Sequence, residues 1–329
     1  MATARTGAAH EWLVLELPWP RDLLAAAEAF ALDGAACWFD APDHPAPTTE
    51  ATQRRFRRPA SRWSLIAASP VALLHQRAAG PAELTIDGRA ADQDASAWRL
   101  WRRTIERLPR WPASPAPLGP GWVGCLGFES ADQLERLPPA RTEPRSLPLV
   151  RLELFDRVVL LDHAAQRAML VVAPGLREHV GLAPLPPDLT LDLWRTAAAA
   201  AGRMLRAAPA RLIEQMSPTA HREMVHRALE HIRAGDIYQV NLAQRLRLEG
   251  LPSVWQTARR LRRGNAARYG ALLTWREQGQ PLALHSTSPE LMCSPARSRV
   301  RARASATRPP TPCGAVNCSA QPRTRPSWP

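Results

Sequence analysis

The spacing of apolar positions changes period several times along the chain, and each change marks an element. Residues 12–17 alternate and read as a strand closed by Pro18 and Pro20. Leu23, Leu24, Ala27, Phe30 and Ala31 recur at helical spacing, with Gly34 as the stop. Short apolar runs at 35–39, 63–67 and 72–76 read as strands, and Asp87-Gly88 as a hairpin turn. Trp98, Trp101, Ile105 and Leu108 make one stripe of a helix over 98–108. The glycine-punctuated run 121–128 reads as a buried strand, and 152–161 with 168–173 as a strand pair. The stretches 42–59 and 109–120 are rich in turn formers and read as loops.

After a proline-rich connection at 174–187, the spacing predicts a helix over 191–208. Ser217 then caps a second helix, with Pro218 at its first position and Val225, Leu229 and Ile232 on one face beside Met224 and Ala228. Gly235 ends it, and Asp236 turns the chain into a run of strict alternation. Tyr238, Val240, Leu242, Leu246 and Leu248 fall on one side, and Gln239, Asn241, Arg245 and Arg247 on the other. Strands at 271–275 and 282–286 follow, turning at Gln278-Gly279.

Composition narrows the class. Of the 329 residues, 45% are hydrophobic and 22% charged, as in ordinary globular proteins. No stretch approaches the roughly 20 apolar residues of a membrane helix. Glu11 and Glu16 interrupt the one candidate signal region, so a cytoplasmic location is expected. All 43 basic residues are arginine, and 33 prolines with 12 tryptophans against 2 tyrosines point to a GC-rich gene. The net charge of +13 invites a nucleic-acid reading. Seven of the arginines, however, lie in the acid-free stretch 291–329, and the rest of the chain mixes both signs. An arginine-rich nucleic-acid binder needs interleaved aromatics on a basic face, and Tyr and Phe are scarce. Five cysteines without a C-x-x-C pair fit a reducing compartment. Cys37 and Cys125 are expected to pack as small hydrophobes, and Cys293, Cys313 and Cys318 with His285 match no common zinc spacing.

The string Ile232-Arg-Ala-Gly-Asp-Ile-Tyr-Gln-Val-Asn-Leu-Ala-Gln-Arg245 closely resembles the opening signature of the chorismate-utilising enzymes. Within them it is most similar to the aminodeoxychorismate synthase component I branch. The anthranilate synthase component I branch usually carries Gln-Val-Val-Leu-Ser where this chain has Gln239-Val-Asn-Leu-Ala243. Downstream, Ser286-Thr-Ser-Pro-Glu290-Leu-Met resembles the family's Ser-x-Ser-Pro-Glu box. Leu15-Glu-Leu-Pro18, Trp63-Ser-Leu-Ile-Ala-Ala-Ser-Pro70 and the block 121–129 agree more weakly, so the resemblance runs from about residue 11 to Met292.

The resemblance implies an α+β fold, a mixed or antiparallel sheet-rich chorismate-binding architecture like anthranilate synthase component I, incomplete at the C-terminus. It implies an N-terminal-like region at 11–190 and the opening of the chorismate-binding domain at 191–292, while the stretch 1–10 reads as a disordered leader and the Pro- and Arg-rich 293–329, without periodicity, as a disordered tail. It implies that Glu290 is the active-site acid near the C4 hydroxyl of chorismate, a role that partial burial suits by raising a carboxyl pKa. Gln239, Asn241, Arg245 and Ser288 would line the substrate side of the sheet. Asp40 and Tyr269 would stand where the family builds a tryptophan pocket, although the serine and both prolines of that pocket are absent. Mg²⁺ and a glutamine amidotransferase partner come with the family.

Past Met292 the resemblance ends, and no residue of this chain is assigned to the metal. The branch's nucleophilic lysine has no counterpart in a sequence without lysine. A chain truncated or frameshifted after about residue 292 and without turnover is therefore expected. A native basic tail with an acidic partner is the other reading of 293–329.

Overall fold

The computed structural model describes residues 11–32, 34–40, 62–78, 80–112, 114, 116, 118–135, 147–206, 209–265, 267 and 269–288. The expected leader, the loop 42–59, Glu290 and the tail lie outside them. Asp22 opens α1 (Leu23–Ala31) by accepting from the Ala25 amide at 2.9 Å. The helix ends within a residue of where its spacing and Gly34 placed it. Leu32 itself takes the left-handed conformation at φ 47°, and Gly34 donates back to the Ala31 carbonyl.

Two antiparallel sheets form the frame. The larger orders seven strands as β1 (Leu13–Leu17), β10 (Arg167–Val172), β9 (Arg157–Asp162), β3 (Trp63–Ala68), β2 (Ala36–Asp40), β13 (Tyr269–Glu277) and β14 (Gln280–Ser288). The smaller orders five: β6 (Arg89–Asp94), β5 (Ala82–Ile86), β4 (Ala72–Gln76), β8 (Val150–Phe155) and β7 (Gly121–Leu126). The apolar run expected as one strand over 152–161 is split between the two sheets. Asp156 makes the corner, its buried carboxylate accepting from Arg157 Nε at 2.9 Å while Arg157 also donates to Thr190 and to the Leu185 carbonyl. The passage from β3 to β4 switches sheets in the same way, through Ser69 at φ 57°.

Alternation explains why β9 is apolar throughout. Val159 and Leu161 face α1 and α4 (Pro187–Ala198), whereas Val158 and Leu160 join Phe155, Leu273 and Trp275 in another cluster. Trp194 of α4 is fully buried, edge-on to Phe30 at 5.7 Å, with its indole donating to the Pro18 carbonyl at 2.9 Å. Against the smaller sheet, α2 (Ala97–Arg107) buries Ala97 and Leu100 and leaves Ile105 of the expected stripe exposed. The Arg151 guanidinium stacks 4.9 Å from the Trp275 ring, and Arg77 pairs with Glu277, so both contacts tie the sheets together. Burial raises the Glu153 carboxyl above its usual range against the pull of Arg151. Cys37 is buried, and burial pushes its thiol up in the same way. A short helix, α3 (Leu176–His179), leads toward α4.

The helix expected over 191–208 stops at Ala198, whose carbonyl accepts from the Arg21 amide at 2.9 Å. Beyond it, β11 (Arg211–Gln215) and β12 (Leu246–Glu249) form a two-stranded ribbon around α5 (Pro218–Ala234). Then α6 (Val254–Gly264) packs Trp255 and Ala258 back on the core. Among the described residues no helix is long and apolar enough to cross a membrane.

Candidate functional site

The signature segment is framed as its sequence foretold. Ser217 accepts from the Ala220 amide at 3.1 Å, and Gly235 closes α5 at φ 78°. The imidazole of His231 pairs with Asp236 at 2.9 Å, so Asp236 belongs to the helix terminus. The continuous strand expected from 237 to 248 is a different matter. Residues 236–245 have no ladder, and only Leu246–Glu249 pairs, with β11. An alternating sequence becomes a strand only where a neighbour accepts its amides, and the described residues supply one to β12 alone. Tyr238 is 92% exposed, and Val240, Leu242, Leu246 and Leu248 are exposed with it. Gln239, Asn241 and Arg245 stand in the same exposed stretch, where Gln244 reaches the Met216 carbonyl at 3.2 Å.

Strand register brings another group together. Gly270 lies opposite Asp40 between β13 and β2, and Tyr269 lies opposite Ser288 between β13 and β14. Asp40, Tyr269 and Ser288 therefore occupy the same end of three adjacent strands, and the chain leaves Ser288 toward Glu290 from that end. Asp40 is buried and accepts from Arg262 Nε at 2.8 Å. Asn265 donates to Thr287 across the same end at 3.4 Å. His285, further along β14, is half-buried, and the lost hydration lowers its pKa. The described structure does not join Gln239, Asn241 or Arg245 to this sheet end by any ladder.

Sequence reading missed Arg262. Its signal was present as Arg259, Arg262 and Arg263, spaced i, i+3 and i+4 on one face of α6, but arginine is so abundant here that the spacing carried little contrast. Arg259 pairs with Asp22 at 2.9 Å. Burial alone would raise the Asp22 pKa, yet the Ala25 amide and Arg259 hold it below the usual carboxylate range. Among the described residues no three His, Cys, Asp or Glu side chains cluster so as to hold a metal. No such set among the described residues fits Mg²⁺.

The comparisons with known proteins agree on the family. Residues 60–307 match the family model described as chorismate binding enzyme, which carries the similarity past Met292. The chain is 35% identical over 154 residues to anthranilate synthase component 1 of Streptomyces coelicolor, covering 44% of this chain and 29% of that protein. It is 25% identical over 234 residues to aminodeoxychorismate synthase component 1 of Salmonella typhimurium, covering 70% and 48%. The chain thus spans between about a third and a half of the length of these curated relatives. Anthranilate synthase component I from Streptococcus pneumoniae shares the fold, with a TM-score of 0.51 at 18% identity over 76% of this chain and 53% of that one. The sheet-rich α+β architecture expected from the sequence is the one observed, and the chain belongs to the chorismate-binding enzyme family.

Proposed function

We propose that the chain acts on chorismate as component I of an aminating synthase, of the aminodeoxychorismate type. The observation that carries the branch is Asn241 within Gln239-Val-Asn-Leu-Ala243, in the second half of the signature string. In the reaction of this enzyme type the C4–O bond of chorismate breaks, an acid at the position of Glu290 donates the proton with which the hydroxyl leaves as water, and ammonia forms the new C4–N bond before losing its own proton; this chain, without lysine, is expected to hold chorismate without completing that reaction. A glutamine amidotransferase partner supplies the ammonia. Ser288 and Tyr269 sit at adjoining strand ends; in this reading they, with Gln239, Asn241 and Arg245, contribute polar groups to the substrate side.

A second reading, anthranilate synthase component I, amino-adds at C2 and eliminates pyruvate. The 35% identity to the Streptomyces coelicolor protein favours it. Chorismate, ammonium and Mg²⁺ incubated with the chain separate the two by chromatography. With no lysine among the 329 residues, the first reading expects chorismate to be held without conversion by the lysine route. Anthranilate with equimolar pyruvate would establish the second reading instead.

A further inference from the structure

A cavity of about 500 Å³ lies where the start of α1, the segment after α4 and the last turns of α6 converge. Four arginines line it, Arg21, Arg259, Arg262 and Arg263, with Asp22 as the single acid in its wall. Two of the four are held in place by carboxylates, Arg259 by Asp22 and Arg262 by Asp40, both at close range. Arg21 and Arg263 project from the rim, exposed. Four guanidinium groups against two carboxylates leave two positive charges in surplus.

The walls are built rather than accidental. Gln256 Nε2 donates to the Arg203 carbonyl at 2.9 Å, its Oε1 accepts from the Leu205 amide, and Arg260 donates to the Leu205 carbonyl at 2.9 Å. These bonds fasten the segment after α4 to α6. The Arg21 amide is anchored to the end of α4. Gly202 lies flat against Arg259, where a Cβ would stand only 2.0 Å from Nη2. The Arg259 side chain is only 13% exposed, so burial on Gly202 and pairing with Asp22 fix its guanidinium in the cavity wall. Leu23 and Leu24, in the first turn of α1, also line the cavity. First-turn amides have no intrahelical acceptor and carry the positive end of the helix dipole.

We infer that this cavity is a binding site for a small dianionic oxyanion, a phosphate ester or a dicarboxylate, held by Arg21, Arg259, Arg262 and Arg263 together with the first-turn amides of α1. Guanidinium forks match both anion types in geometry, and the surplus of two charges matches a dianion. The volume suits a metabolite-sized ligand. The site does not depend on the chorismate reading.

Equilibrium dialysis of the full chain at fixed ionic strength tests it, with radiolabelled orthophosphate in one arm and radiolabelled malonate in the other. Saturable one-site binding is expected in at least one arm, and the arm that binds identifies the source of the charge. The rim variant R21Q/R263Q changes two exposed side chains and is expected to weaken that binding at least tenfold while leaving the urea unfolding midpoint unchanged. A control, R102Q/R107Q, removes the same charge from the exposed face of α2 and is expected to change it less than twofold. Absence of saturable binding in both arms overturns the inference. Equal weakening by both double variants overturns it too, because it would reveal a general charge effect.

Discussion

Two glycines show how finely single positions are read by their neighbours. A Cβ on Gly124 would stand 1.9 Å from the Arg151 carbonyl oxygen of the paired strand, backbone that cannot rotate away. One on Gly270 would meet Asp40 Cβ at 3.4 Å, an ordinary contact. Gly124→Ala is therefore expected to cost at least about 1–3 kcal/mol, the usual range for overpacking, and Gly270→Ala much less. Urea unfolding midpoints of the two variants check the contrast. Arg262 is the polar neighbour that fixes the buried Asp40 carboxylate. Arg262→Gln should cost about 1–3 kcal/mol through the loss of that charged hydrogen bond, with part of the loss recovered in the double variant D40N/R262Q. Trp194→Ala removes a fully buried ring and its bond to Pro18, and should cost about 3–5 kcal/mol.

Elements declare themselves in a sequence when local chemistry decides them. Asp87-Gly88 and Gln278-Gly279 turn with both residues at positive φ, as their turn residues indicate. The caps Ser217 and Gly235 bound α5 because both act on the backbone next to them. The segment 236–245 was illegible for the opposite reason: alternation records which side each residue would take, not whether a partner ladder exists. Tyr269 and Ser288 meet through the local β13–β14 hairpin, but Asp40 joins them only by the register of β2 with β13, some 230 residues apart in sequence, which no local pattern encodes. The resemblance alone pointed to Asp40 and Tyr269, and only register makes them neighbours. No residue of α5 is buried, whereas Ile66, Val159 and Leu161 in β3 and β9 are. Amide hydrogen exchange should accordingly be orders of magnitude faster in α5 and β12 than in β3 and β9.

At the scale of the molecule, pH and chemistry act on the whole fold. His75 and His285 are both half-buried, and lost hydration is the largest influence lowering their pKa values. A histidine whose folded pKa lies below its unfolded value of about 6.5 leaves stability full above that pH. Stability then falls as the pH drops through 6.5 toward the folded values, because the unfolded chain takes up protons first. The urea midpoint should decline from pH 7.5 to 5.5, and the double variant H75Q/H285Q should flatten that decline. Family membership and the sheet frame give the molecule its context, and the proposed function requires it to bind chorismate with the help of Glu290. Isothermal titration of chorismate with Mg²⁺ into the full chain and into Glu290→Ala addresses this most directly. Saturable one-site binding to the wild type is expected, weakened at least tenfold by the substitution. No saturable heat, or equal affinity in both proteins, would contradict it.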